Sequence, residues 1–405
     1  MSLYDDASII LTPNAYKASK LYSLKPTDGT ADFNVVRATT ATRVNEDGLI
    51  ESVGVNVPRL DYSGGVCPSI LVEPQATNLL LRSQEFNNAS WLKTSVTVTA
   101  NAVTSPDGTT TADTITESAT TSVHQLKQNI ALTAVNHTWS LFVKPNGRKN
   151  VILWSDTASK GTAFDLNAGT ITSETSSVGK ITALTNGWFK ISTTILGTGG
   201  VNVSLYFIND SGNASYLGDG VSGVYVWGAQ LELGSYATSY IPTTSSTVTR
   251  NEDVISKTGI SSLINSEEGT LFVEMAALSN SGTFRQILFH DNAFNKRIAL
   301  RYMPTSNQIN ASLVNGTPQA DFTYILNNAL DFNKIAFKYK QNDFALWVNG
   351  VEVGADTSGS IFSANTLQNI DFNYLGSYLL YAKVKQLQVN TRALTDTELT
   401  ALTTL

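Results

Sequence analysis

The chain has 405 residues, a formal net charge of −6, 42% hydrophobic and only 15% charged residues; it is long enough for two or three domains with cores of their own. No Lys/Arg cluster supplies the basic face that a nucleic-acid binder needs, and no window approaches the ~18 apolar residues of a membrane span. Cys67 is the one cysteine, so an intrachain disulfide is excluded, and the N-terminus lacks the basic and long apolar stretches of a signal peptide.

Residues 1–82 show few clean strands. Ala7-Ser-Ile-Ile-Leu11 and Phe33-Asn-Val-Val36 are short apolar runs among turns and pieces such as Leu24-Lys-Pro-Thr-Asp-Gly29. So little apolar material cannot bury a core alone. The segment is therefore expected to attach to something: the neighbouring sandwich, another subunit or another protein.

Residues 83–250 alternate with period two. Val201, Val203, Leu205 and Phe207 share one face. In 188–195, Phe189, Ile191 and Ile195 face in, and Lys190, Ser192 and Thr194 face out. A Thr-rich connector, 240–250, ends this domain. Residues 251–405 repeat the pattern: Ile335, Phe337 and Tyr339 stand opposite Lys334, Ala336 and Lys338, and 344–353 reads as a hairpin. Asn-Gly pairs at 146–147, 186–187, 315–316 and 349–350 suit type I′ turns. At the end, Thr395 and Glu398 form a capping box with Leu394 and Leu399 as staple, predicting a helix over 396–403. The expected fold is all-β: two antiparallel β-sandwiches of jelly-roll or lectin-like kind, after an irregular N-terminal region and before one short helix.

Little in the chain resembles catalytic chemistry. His124, His137 and His290 lie far apart, without metal-ligand spacing. Cys67 sits in a Gly-rich turn. Gly218-Asp-Gly-Val-Ser-Gly223 matches a nucleotide-loop string, but a strand follows it instead of a helix, so it reads as a turn. Glycoside hydrolysis needs two carboxylates across one bond. Glu232 and Glu274 each stand alone and Glu267-Glu268 precedes a strand, so no enzyme is expected. Asn209, Asp210, Asn213 and Asp219, in a Gly-rich segment, are the candidate Ca²⁺ ligands. Tyr216, Tyr236, Tyr374, Tyr378 and Tyr381 are the candidate aromatics for stacking on sugar rings. Trp139, Trp227 and Trp347 fall in strand patterns and are expected in the core.

Three stretches together resemble a known family. They are 41–50 with Asn56-Val-Pro-Arg-Leu-Asp-Tyr62 and 70–80; Trp227-Gly-Ala-Gln-Leu-Glu232 with 238–243; and Leu346-Trp-Val-Asn-Gly350 with 387–399. The series resembles bacteriophage virion proteins of the tail-fibre and head-fibre kind. The resemblance implies a carbohydrate-binding-module-like sandwich over 83–250 and a concanavalin A/laminin-G-like sandwich over 251–405. It further implies that 1–82 attaches to the virion, that the protein is a homo-oligomer, most simply a trimer, among other virion proteins, and that the sandwiches meet a host surface polysaccharide or receptor. The rival is a depolymerase-type spike enzyme, which paired strand acids or a β-helix repeat would have favoured.

Overall fold

The computed structural model describes residues 3–133, 135–156, 158–195, 200–280 and 282–405. Every strand-to-strand ladder described is antiparallel, and the one substantial helix is C-terminal, as expected. The chain divides into two compact units. Unit 1 comprises Met1–Thr40, Val53–Pro74 and Asn251–Leu405; unit 2 comprises Ala41–Ser52 and Gln75–Arg250.

Among the described residues, unit 1 is a sandwich of an eight-stranded and a nine-stranded sheet. In the first, Ala382–Asn390 lies between Glu268–Ala277 and Ser69–Val72, and Ala7–Leu11 also pairs with it, Ile10 opposite Gln388. The second runs from Tyr16–Lys17 through Phe33–Val36, Val254–Lys257, Asn369–Asp371, Arg285–His290, Lys296–Tyr302 and Gln308–Asn315 to Thr317–Ile325. One apolar core lies between them, and Ile9, Leu11, Phe33, Val35, Leu60 and Val72 belong to it. The expectation for 1–82 is corrected accordingly. Most of this region is not an appendage but supplies strands of unit 1, while 41–52 and the residues from 75 onward belong to unit 2. Its apolar runs are short because each is one strand of a sheet completed by residues more than 200 positions away, so their burial needs no second subunit.

Unit 2 holds, among its described residues, two six-stranded sheets. Leu141, Val143, Ile191, Val203, Leu205, Phe207, Val224 and Val226 fill the space between them. Trp139 and Trp227 are buried as expected. The outward reading of Ser192 and Thr194 is corrected: both are buried. The segment after residue 233 folds back over that face, where Thr194 Oγ1 donates to Ser235 O and Lys190 Nζ to Thr238 O. The Asn-Gly pairs also divide. Asn186-Gly187 and Asn349-Gly350 have positive φ at both residues, as a type I′ turn requires. At 315–316 only the glycine does. The pair at 146–147 makes no hairpin and carries the chain from one sheet to the other.

The C-terminal helix spans Asp396–Thr403. Thr395 Oγ1 accepts from Glu398 N–H, and the Glu398 carboxylate accepts from Thr395 N–H at 2.8 Å. Leu394 and Leu399 pack with Phe272, Ala336, Ala345 and Trp347 on the outer face of the eight-stranded sheet. Ala336, read as outward from its alternation, is buried by this helix. Thr395→Ala is expected to lower stability by about 1 kcal/mol in urea unfolding; an unchanged midpoint would show the cap to be redundant.

Four charged side chains are buried together in unit 1. Asp253 Oδ1 accepts from Arg37 at 2.8 Å, and Asp253 Oδ2 accepts from Arg59 and from Glu73 N–H. Arg59 also donates to Glu73 Oε2 at 2.5 Å. Arg37 spends its remaining donors on the carbonyls of Thr39, Gly54 and Val57. Burial alone would lower the Arg59 pKa, but Asp253 and Glu73 together reverse this and hold it above the usual arginine range. Two cations and two anions cancel, which makes the burial tolerable.

Candidate functional site

The strand Lys296–Tyr302 has two faces. Ile298, Leu300 and Tyr302 point into the core, while Arg297, Ala299 and Arg301 stand on the other side of the nine-stranded sheet. Register brings Gln286 and Asn310 beside Arg301, Leu288 and Ser312 beside Ala299, and His290 beside Arg297. Gln286, Leu288, His290, Ala299, Asn310 and Ser312 are themselves buried, so the accessible part of this side is its rim, where Arg297 and Arg301 are half-buried.

Aromatic rings cross this face in series. Phe284 meets Tyr378 edge-on at 5.7 Å, Tyr378 lies 6.5 Å from Tyr374, and Tyr374 meets Phe294 edge-on at 5.5 Å. Phe294 stacks on His290 at 4.0 Å. The Arg301 guanidinium sits 5.3 Å over Phe284 and that of Arg297 5.7 Å over Tyr374. A tight loop presents the two tyrosines: Tyr374 and Ser377 exchange backbone hydrogen bonds, and Asn373 Oδ1 accepts from Gly376 N–H. Phe294, Leu375 and Tyr378 take left-handed φ of 61°, 52° and 50°. Bulky residues seldom adopt that conformation, and such outliers cluster at ligand-binding segments. Tyr378 is 47% exposed at the end of this loop.

The electrostatics are uneven. Asp371 accepts from or pairs with His290 Nε2 at 3.1 Å, and Asp321 accepts from Asn310 at 2.5 Å. Arg297 and Arg301 make no ion pair among the described residues. Burial pulls the Arg301 guanidinium below the usual arginine range; Asp321 partly offsets this and Arg297 adds to it.

The five candidate tyrosines do not come together. Tyr374 and Tyr378 belong to this face. Tyr381 is half-buried, and burial pushes its hydroxyl pKa up. Tyr236, half-buried, lies in unit 2. Tyr216 is corrected from loop-exposed to buried. Its hydroxyl donates to Glu117 at 2.5 Å, and its ring lies beside His124 and under Arg148. Glu117 also accepts from Arg148 twice and from Asp219 N–H, so this group pins strand ends in unit 2.

The calcium candidates cap their own turns. Asn209 Oδ1 accepts from Ser211 and Asn213 N–H. Asp210 is exposed and meets Asn150 and Lys149. Asp219 accepts from Ser222 and Val221, and those bonds hold its carboxyl well below the usual range. Among the described residues no three His, Cys, Asp or Glu side chains converge as a metal site.

The candidate acids are equally separate. Glu232 is fully buried and accepts from Gln230 and Thr238; Glu274 pairs with Lys385 at 3.5 Å. Two clefts are small, about 190 Å³ beside Arg148 and Asp210 and about 170 Å³ beside Tyr324 and Val351. Small-molecule pockets are usually roughly 300–1,000 Å³, so the rim around the exposed Tyr378 suits a ligand better than either cleft. Sequence reading missed Phe284, Phe294, Arg297 and Arg301. The usable signal was Arg297-Ile-Ala-Leu-Arg301, whose alternation already sets both arginines on one face.

No protein-family model and no curated protein matches this chain. Several solved structures are similar at low identity. The CBM40 of Ruminococcus gnavus IT-sialidase, bound to α2,3-sialyllactose, is 16% identical, with 34% of this chain and 83% of that one covered and a TM-score of 0.30. The botulinum neurotoxin type G receptor-binding domain is 14% identical, covering 36% and 38%, with a TM-score of 0.28. Domains LG4-5 of the mouse laminin α1 chain are 12% identical, covering 68% and 92%, with a TM-score of 0.24.

Proposed function

We propose that the protein is a non-catalytic binding protein that recognises carbohydrate through the aromatic and arginine face of unit 1. The observation that carries this is Tyr378, exposed between Phe284 and Tyr374 in a row of four rings over the outer side of the nine-stranded sheet. Aromatic faces stack on the C–H faces of pyranose rings, and the half-buried Arg297 and Arg301 beside the rings supply hydrogen-bond donors. The resemblance to phage fibre proteins supplies the setting: a virion part that assembles as an oligomer and meets a host surface. Light scattering of the full chain checks the assembly, and a monomer mass counts against it.

Purified protein is expected to bind bacterial surface oligosaccharides on a glycan array. Tyr378→Ala should weaken binding about tenfold, one ring contact of roughly 1–1.5 kcal/mol, without shifting the melting temperature. The rival reading is a glycan-degrading enzyme. Release of reducing sugars, abolished by a single Glu→Gln change, would establish that reading instead.

A further inference from the structure

We infer that the ligand of this face is an acidic oligosaccharide, whose carboxylates are received by Arg297 and Arg301. The inference rests on reading the face as a sugar-binding surface and adds the chemical class of the sugar.

Both guanidiniums stand on the same side of one strand, and the acids of this side hydrogen-bond other groups. Asp321 accepts from Asn310 and Asp371 faces His290 Nε2. Two half-buried guanidiniums that make no ion pair among the described residues, with Asp321 only partly offsetting the burial of Arg301, are costly to leave so. An anion arriving from outside supplies what the chain does not.

Arg301 is also held in one orientation. Its Nε donates to Asn310 Oδ1 at 2.9 Å. Asn310 cannot turn its amide round without losing the bonds from Nδ2 to Asp321 Oδ1, Phe322 O and Thr323 Oγ1. With Nε occupied and one face over Phe284, the two terminal nitrogens form the remaining edge of the guanidinium. That planar edge matches a carboxylate bidentately, which a lysine cannot do. Arg297 is tethered differently, its Nη1 donating to Phe294 O at 2.8 Å beside Tyr374, which leaves its other donors for a carboxylate. Four residues along a strand separate their backbones by roughly 13 Å. That span exceeds one sugar ring, so the ligand is an oligosaccharide with more than one acid group. The rest of the chain does not favour polyanions in general, since its net charge is −6. The pair is therefore a local recognition device and not part of a basic surface for nucleic acid.

The test uses the full chain on an array of neutral and uronate- or sialate-bearing oligosaccharides. Bound members are then compared with their carboxyl-reduced forms. The expected result is binding confined to carboxylated members, at least tenfold weaker for each carboxyl-reduced form. Arg297→Ala and Arg301→Ala should each lose about tenfold, and Arg301→Lys should fail to restore binding. Thermal melts identify any variant that misfolds, and Arg297→Ala stands as the second arm if Arg301→Ala does. Equal binding of carboxyl-reduced forms, with Tyr378→Ala still impaired, overturns the acid inference and leaves the sugar face standing. No glycan bound, binding indifferent to Tyr378→Ala, or single-stranded DNA bound more tightly than any glycan overturns both.

Discussion

Asp253→Ala is expected to destabilise unit 1 by about 3–5 kcal/mol, the usual cost of removing one partner from a buried ion-pair network. The carboxylate is 3% exposed and accepts from Arg37, Arg59 and Glu73 N–H. Its loss leaves Arg59 with Glu73 and takes from Arg37 the carboxylate it pairs with, its bonds to the carbonyls of Thr39, Gly54 and Val57 remaining. The position in the chain enlarges the effect. Arg37 comes from the first segment of unit 1, Arg59 and Glu73 from the second, and Asp253 from the third. The network therefore ties together three stretches that the sequence of unit 2 interrupts. Hydrogen exchange read peptide by peptide is the suitable measurement. Protection should fall across 268–390 and persist across 137–195. A loss below about 1 kcal/mol would mean that the charges are solvated more than their burial indicates.

Deletion of residues 1–80 should have a still larger effect: unit 1 should not fold. The deletion removes Ala7–Leu11, Leu60–Asp61 and Ser69–Val72 from one sheet and Phe33–Val36 from the other, together with Arg37, Arg59 and Glu73. It opens the core beside Leu387 and Val389 and leaves Asp253 buried without a cation. The truncated chain should aggregate or show no protection over 268–390. A soluble truncated protein with full-length thermal stability would restore the view of 1–80 as a separable attachment region.

Much of the fold was legible in the sequence. Alternation located the strands at 189–195, 200–207 and 333–340, and the capping box located the helix to within a residue, because both signals are local. What covers the second face of a sheet was not legible. Thr194 is buried by a segment some 40 residues later and Ala336 by the terminal helix, and neither contact leaves a mark on the alternation itself. The division of the chain was hidden for the same reason. Ala7–Leu11 reads as an orphan because its partner strand begins at Ala382. Of the candidate site, the two tyrosines of the 373–378 loop were found as exposed aromatics. Phe284, Phe294, Arg297 and Arg301 were not, since each is unremarkable until folding sets it beside the others.

The pairing of Ala7–Leu11 with Ala382–Asn390 also fixes an order of events during synthesis. A ribosome adding about 5–20 residues per second releases the first strand many seconds before its partner exists. All of unit 2 emerges in the interval. Residues 41–52 and 75–250 can form their own core while the opening strands of unit 1 still wait, exposed, for Ala382–Asn390. The opening strands of unit 1 are thus made before unit 2 and completed after it, and the nascent chain must keep Ile9, Ile10 and Leu11 from other partners until Leu387 and Gln388 arrive.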